Sequence, residues 1–115
     1  MRDKKTVVKR ISDVIGVSTA HGVGLKRVLV GNTDTNTSIT QIAYTNLSMG
    51  DVVEKHTHPT MDEHFIILAG ICVIDNGIQK YRMYANTYMY MPAGVEHRIE
   101  VMEALTMITI GVAIE

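Results

Sequence analysis

Three histidines and two acids lie within nine residues of this chain, in "HTHPTMDEH" at positions 56–64. The whole chain has five histidines, so more than half of them fall in this one segment. Neutral imidazole nitrogens and carboxylate oxygens together suit divalent transition metals. The segment is therefore the first candidate for a metal site.

An extended strand would direct His56 and His58 to the same side, because residues two apart share a face. Pro59 ends that strand, and Glu63 opens the next run, where its carboxylate can turn back toward the two imidazoles. A local segment cannot surround an ion, so a fourth ligand is expected from a distant strand. His97 is the candidate, because it follows a Pro-Gly turn and starts another strand-like run.

The remaining two histidines are given other roles. His64 is adjacent to Glu63 and would face the opposite way in a strand, so we expect it to pack or to lie at the surface. His21 lies in the glycine-bracketed loop "TAHGVG" and has no partner suggested by the sequence. We expect it to be an exposed loop residue.

Apolar and polar residues alternate with a period of two along most of the chain, which is typical of strands. Glycine, asparagine and proline punctuate these short runs, and no stretch has the pattern of an amphipathic helix. Asp75-Asn76-Gly77 predicts a hairpin with a type I′ turn. The pattern predicts a single all-β domain over residues 1–115, either an antiparallel barrel or a sandwich.

Composition narrows the classes of partner. The chain is 46% hydrophobic and 20% charged with a formal charge of −1, so it has no strong field to attract nucleic acid or an acidic membrane. Its single cysteine, Cys72, lies in an apolar run and is expected to be a core residue. The longest apolar run, "FIILAGICVI", is too short for a membrane helix, and no signal peptide is evident, so we expect a cytoplasmic protein.

The spacing of two segments resembles the two motifs of the cupin superfamily. "MPAGVEH" is similar to the core of the second motif, and the first is matched by Gly50, His56, His58, Glu63 and Gly70. The resemblance implies a small single-domain cupin with a double-stranded β-helix, or jelly-roll, barrel over about residues 37–113. The first 35 residues would be extra strands or a dimer-contact segment.

The same resemblance implies one divalent transition metal (Fe, Mn, Ni or Zn) held by His56, His58, Glu63 and His97, the four that residue types and spacing had suggested. Two positions depart from the family pattern. Asn86 stands where a glycine is usual, although asparagine tolerates the left-handed backbone. Val101 stands where an asparagine is usual. Neither position is a ligand in the pattern, so the metal site remains the expectation.

Strand alternation indicates what surrounds the site. If Glu63 and His97 face inward, the same faces carry Phe65, Ile67, Ile99 and Val101.

Within residues 87–91, the cupin pattern favours Met89 and Met91 facing inward, with Tyr88 and Tyr90 facing outward. Gln41 would supply a polar group to this substrate pocket, and no basic residue is assigned to its interior. The outward tyrosines, and the apolar residues on both faces of several strands, predict a homodimer.

Three functions agree with these features. The first is a metal-dependent enzyme acting on a small polar organic molecule, as a dioxygenase or an isomerase or epimerase, with Glu63 as a possible participant. The second is a non-catalytic cupin that binds or senses a small molecule. The third is metal-free acid–base chemistry by His56 or His97, similar to that of sugar-nucleotide isomerases of the superfamily.

Overall fold

Eight β-strands make up most of the chain in the computed structural model, which describes residues 5–115. A 3₁₀ turn at Ile11–Asp13 precedes them. The strands are β1 (Gly16–Ser18), β2 (Leu25–Gly31), β3 (Ile39–Leu47), β4 (Val52–His56), β5 (Met61–Asp75), β6 (Lys80–Met83), β7 (Thr87–Met91) and β8 (His97–Ala113). Within residues 5–115 there is no helix with the length and apolarity needed to cross a membrane.

Two long strands, β5 and β8, organise all the others. They pair with each other in antiparallel fashion from Met61↔Ala113 to Asp75↔Arg98. The first part of β5 also pairs with β7, and its second part pairs with β6. The last part of β8 pairs with β3, and its first part pairs with β4. Each long strand therefore takes part in two different sets of neighbours.

The change of neighbours coincides with a bend near the middle of β5. The register between β5 and β8 shifts several times between Ile67 and Cys72, which marks bulges in the ladder. Gly70 lies within this stretch at φ +87°, and a Cβ there would approach the Ala104 carbonyl oxygen to 2.1 Å. Only glycine fits this backbone contact and this conformation.

The bend folds the sheet into two facing layers. One layer runs β1-β2-β3-β8-β5-β7, and the other runs β4-β8-β5-β6, with the two long strands shared. The described core between them contains Leu47, Val53, Phe65, Ile67, Cys72, Ile74, Met83, Met91, Ile99, Val101, Leu105 and Met107. This arrangement confirms the predicted all-β jelly-roll.

Cys72 lies in this core with no exposed surface, as expected from its apolar surroundings. Burial raises the pKa of its thiol to about 11, because the thiolate would be poorly solvated there. The thiol is therefore protonated and unreactive at neutral pH.

The hairpin predicted at 75–77 is present, but its turn type is not the predicted one. Four residues, 76–79, connect β5 to β6, and only Gly77 of the Asn-Gly pair has a positive φ. The Asp75 carboxylate accepts a hydrogen bond from the Gly77 N–H, and the Asn76 side chain accepts from the N–H groups of Ile78 and Gln79. These side-chain bonds stabilise a longer turn than the type I′ pair would give.

The prediction for Asn86 is confirmed. It has φ +65°, and its N–H donates a 2.7 Å hydrogen bond to the Ile67 carbonyl. Asparagine adopts this left-handed conformation more readily than most residues, so the turn before β7 is kept without glycine. In β7 itself the alternation is as expected, because Met91 is buried while Tyr88 and Tyr90 are exposed.

The outer face of the larger layer is mostly apolar. Two rows of directly paired residues cross strands β3, β8, β5 and β7 on the side opposite to the buried Ala43 and Phe65. One row is Tyr44, Ile108, Ile66 and Tyr88, and the other is Ile42, Ile110, His64 and Tyr90. We call these eight residues the outer face. All of them are at least partly exposed.

We propose that the outer face forms a homodimer by packing against the same face of a second copy. A contiguous apolar patch on a sheet is stabilised by a partner, and an isologous contact uses one patch twice. Light scattering at micromolar concentration should give twice the chain mass of 12.8 kDa. Ile66→Lys or Tyr88→Lys should give the single-chain mass, because each buries a charge at the contact.

Met49→Lys is the matched control, since Met49 is exposed but lies in the turn before β4, away from the outer face. It should leave the dimer intact. A wild-type protein that stays at the single-chain mass under these conditions would contradict the proposal.

Candidate metal centre

The four predicted ligands come together in one group. Ligand atoms of His56, His58, Glu63 and His97 all lie within 4.8 Å of one another. This is the spread expected for atoms that share one ion, since metal–ligand bonds are about 2.0–2.2 Å long. The arrangement could hold one metal ion.

The two layers supply the ligands from opposite sides. His56 ends β4 and His97 begins β8, and the two residues are directly paired in that ladder. Glu63 comes from the other layer, near the start of β5. Its Oε1 atom is 3.3 Å from His97 Nε2 and also 3.3 Å from His58 Nε2. The group is therefore assembled across the barrel and not within a single strand pair.

The link between β4 and β5 carries His58, and a backbone contact orients it. The His58 carbonyl accepts a 3.0 Å hydrogen bond from the Gly94 N–H in the turn before β8. Gly94 has φ +83°, a conformation that glycine adopts without strain. The Pro-Gly turn that the sequence singled out thus holds the second histidine of the H-x-H pair as well as leading into His97.

Backbone carbonyls set the tautomers of two ligands. His56 Nδ1 lies 2.8 Å from the Glu54 carbonyl oxygen, and His97 Nδ1 lies 3.0 Å from the Val95 carbonyl oxygen. A carbonyl can only accept, so each Nδ1 carries the proton and donates it. Each neutral ring therefore presents a bare Nε2 lone pair for coordination, which is the usual arrangement of metal-binding histidines.

Two atoms at the centre are buried and unsatisfied. Glu63 Oε1 and His97 Nε2 make no hydrogen bond to the described residues, although they are only 3.3 Å apart. Leaving a buried polar atom without a partner costs about 1–3 kcal/mol, and more for a charged group. A shared cation would satisfy both atoms at once, so the residues fit a metal.

The pKa directions agree with mutual electrostatic coupling. Burial alone would raise the pKa of Glu63, but His97, His58 and His56 outweigh it and hold the pKa below its ordinary value. Burial alone would lower the pKa of His97, but the Glu63 carboxylate and the Val95 carbonyl outweigh it and raise the pKa. For His56 burial dominates, and its pKa is lowered. Glu63 and His56 are therefore in the protonation states that a metal requires at neutral pH.

A cavity of about 360 Å³ adjoins the ligands. Of the predicted pocket residues, Phe65, Ile99 and Gln41 line it. The other three lie elsewhere: Ile67 and Met91 are in the core, and Met89 packs against that core. For the two methionines the reason is that β7 flanks β5 on one side, whereas the cavity is lined by residues of β2 and β3 on the other side. These three residues face inward as predicted, but an inward-facing side chain does not always reach the cavity.

Several cavity residues were missed from the sequence, and two of them, His21 and Lys26, can carry a positive charge. His21 is exposed as expected, but it does have a partner, because its ring centroid is 4.1 Å from that of His56. Lys26 in β2 also lines the cavity, contrary to the expectation of no basic residue inside. The pairing Lys26↔Thr45 puts its side chain on the inward face of the larger layer. That register depends on tertiary pairing, and no local motif signals it.

His64 behaves as predicted and takes no part in the ligand group. Its Nδ1 is 2.7 Å from the Tyr88 hydroxyl on the outer face, and its ring stacks against Tyr90. It therefore serves as a control position for the metal site.

The sequence also matches a known family. The family model described as "Cupin domain" matches residues 43–111, more than half of the chain. The chain is a cupin. The match spans all four candidate ligands of this cupin and the strands from β3 to β8 that position them. No protein with curated annotation matches the chain.

Many solved structures share this fold. A predicted oxalate decarboxylase from Thermotoga maritima has a TM-score of 0.83 at 20% identity, over 94% of this chain and 100% of that chain. Ectoine synthase from P. lautus has a TM-score of 0.82 at 13% identity, over 94% and 78% of the two chains. KdgF from Halomonas sp. has a TM-score of 0.72 at 12% identity, over 90% and 92%. Because all three sequence identities are 20% or lower, the similarity establishes the fold of this cupin and not its activity.

Metal binding can be tested directly. We expect one equivalent of Fe, Mn, Ni or Zn per chain in protein purified without a chelator or a metal-affinity tag, measured by elemental analysis. Alanine at any of the four ligands should lower metal affinity by more than about 100-fold, since loss of residues that only support a ligand already costs about 10–100-fold.

His64→Ala is the control and should leave metal content and affinity unchanged. If wild-type protein contained no metal and took up none of the four ions, the candidate site would be wrong.

The affinity should fall in acid. Protons compete with metal for the imidazoles, and the raised pKa of His97 moves that competition above the ordinary histidine value of about 6.5. Affinity should be full well above that pKa and decrease as the pH falls through it, while Glu63 stays ionised because its pKa is lowered. Competition with a chelator at pH 8, 7 and 6 measures this, and equal affinity at all three values would contradict the ligand set.

Proposed function

We propose that this cupin is a metal-dependent enzyme that acts on a small polar organic molecule. The observation that carries the proposal is the position of the four ligand residues, all of which border the 360 Å³ cavity. A volume near the lower end of about 300–1,000 Å³, the usual range of ligand pockets, suits a small substrate. A structural metal site would be closed, whereas a catalytic one keeps a side open to substrate.

His56, His58, Glu63 and His97 would hold the ion, and a divalent metal there supplies Lewis-acid or redox chemistry to a molecule bound beside it. Three neutral imidazoles and one carboxylate would leave a net positive charge at the centre. That charge favours substrates with oxygen donors such as carbonyl, hydroxyl or carboxylate groups.

The rest of the cavity has two kinds of wall. The apolar part of the lining consists of Leu47, Val53, Phe65, Ile99 and Met107. These side chains exclude water and strengthen electrostatic interactions inside the cavity. His21, Lys26 and Gln41, with nearby threonines, form a polar part that can orient a substrate. An apolar pocket with a few placed polar groups is the usual form of a small-molecule site.

The reaction class we favour is oxygenation, or isomerisation or epimerisation. The similar structures carry names as different as oxalate decarboxylase, ectoine synthase and KdgF, so one fold supports several activities and does not choose among them. We further propose a cytoplasmic location, since the one thiol is buried and forms no disulfide.

Two alternatives use the same residues differently. A binding or sensor protein would keep the metal and the cavity but would convert nothing. Metal-free acid–base chemistry would use His56 or His97 alone, but the assembled ligand group and its unsatisfied central atoms favour a bound cation.

Turnover separates the enzyme from the binding protein. We would load the protein with Fe, Mn, Ni or Zn and screen 1,2-dicarbonyls, enediols, catechols, thiols and simple sugars, following oxygen uptake and product formation. With an active substrate, Glu63→Gln should lower turnover far more than substrate binding, because the ligand charge acts on the transition state.

Glu96→Gln is the matched control. Glu96 lies at the surface in an ion pair with Lys55, 3.4 Å away, so its loss should change neither turnover nor binding. Saturable binding without conversion in all four metal forms would contradict the enzyme proposal and favour the binding protein.

A further inference from the structure

Of the lysines within residues 5–42, which precede the family match, only Lys26 reaches the cavity. Lys26 lies in β2, and its pairing with the buried Thr45 directs its side chain inward. Its Nζ atom donates a 3.3 Å hydrogen bond to Gln41 Oε1 on the neighbouring strand. Both residues line the same cavity as the metal ligands.

No carboxylate neutralises this lysine within residues 5–115. Its partner there is the neutral amide of Gln41, and no Asp or Glu oxygen of these residues lies within 4 Å of Nζ. A partly buried ammonium costs free energy unless it is paired. It retains donor hydrogens, and so does the Gln41 amide nitrogen, which bonds no acceptor among the described residues.

A bulge in β3 shapes the same wall. Ile39 pairs with Val112 and Gln41 with Gly111, so one extra residue, Thr40, lies between consecutive pairs. As a result both Thr40 and Gln41 line the cavity, although adjacent strand residues normally face opposite ways. Gly111 leaves room for this, because a Cβ there would lie 2.3 Å from Thr40 Oγ1.

The charge of the cavity then points to its ligand. Its lining residues include one carboxylate, Glu63, and one lysine, Lys26. With a divalent ion and neutral histidines, the formal charge inside would be +2. A low-dielectric cavity of that charge favours an anion over a neutral molecule.

We propose that Lys26 and Gln41 form a carboxylate-binding subsite, and that the ligand of this cavity is a small organic acid. The acid places its carboxylate on the Lys26 ammonium and the Gln41 amide N–H, while an oxygen at its other end faces the four metal ligands. This inference rests on the proposed function, because it assigns the substrate class of that site.

A carboxylate fits this subsite better than a phosphate. One ammonium and one amide donor match the single charge and two oxygens of a carboxylate. A phosphate group is usually held by arginine forks or by several backbone N–H groups at a helix N-terminus, and residues 5–115 place neither around this cavity.

The test uses matched pairs of probes. Hydroxy acids of two to six carbons, and the amide of each, are titrated calorimetrically into the zinc-loaded full chain. An acid and its amide have nearly the same size, so their difference reports the charge. We expect at least one acid to bind about 10- to 100-fold more tightly than its amide, the range for charge-assisted hydrogen bonds.

Lys26→Met keeps the length of the side chain without the charge and should reduce this preference to the part that the metal alone contributes. Gln41→Glu should do the same, because its carboxylate would pair with Lys26 in place of the ligand. Lys55→Met is the control, since Lys55 is a surface residue paired with Glu96. All three variants should still take up one equivalent of zinc, which also shows that they fold.

Several results would overturn the subsite. Equal affinity for every acid and its amide in the wild type is one. A preference that Lys26→Met leaves unchanged is another, since the acid would then bind the metal alone. Inorganic phosphate that displaces the acids and binds more tightly than all of them would assign the subsite to phosphate.

The metal-free protein separates this inference from the proposed function. There the preference for acids should be weaker but still lost in Lys26→Met. If the chain took up no metal and yet showed that preference, the proposed function would fail and the subsite would stand. If metal bound and no preference appeared with or without it, the subsite would fail alone.

Discussion

The backbone contact between Gly70 and Ala104 is the constraint on which the rest of the structure depends. At this point β5 bends across β8, and any side chain at Gly70 would collide with the Ala104 carbonyl oxygen. The bend lets two long strands serve both layers, so a short chain can enclose a core and a cavity. It also turns Glu63 toward His97 from the opposite layer, although the two residues do not belong to paired positions.

Burial of the ligand atoms has an electrostatic consequence. Two carbonyls hold the Nδ1 protons of His56 and His97, which leaves bare Nε2 atoms directed at one point. The Glu63 oxygen near them is also unsatisfied. Such a group is costly in the absence of a cation, so the fold that gathers it contributes to metal affinity by preorganisation.

The two edges of the larger layer have different roles. On the β2–β3 side the layer leaves a cavity whose lining combines apolar side chains, the four ligands, and Lys26, Gln41 and Thr40. On the β7 side the same inward alternation only fills the core, as with Met91. The outward-facing residues of these strands form the outer face. Each strand therefore has core or cavity residues on its inner side and apolar residues on its outer side.

Local features of the sequence determined much of this protein. Alternation with a period of two indicated the strands. The spacing of His56, His58 and Glu63 identified three ligands, although β4 ends at His56 and His58 lies in the link to β5, not in the strand as expected. His97 and the family were indicated by a second motif.

Tertiary pairing decided which other residues reach the cavity. The roles of His21 and Lys26 depend on how the first strands fold back over β3, and the exclusion of Met89 and Met91 from the cavity depends on which side of β5 is open. Alternation specifies whether a side chain faces inward, but strand order and register decide what it meets there.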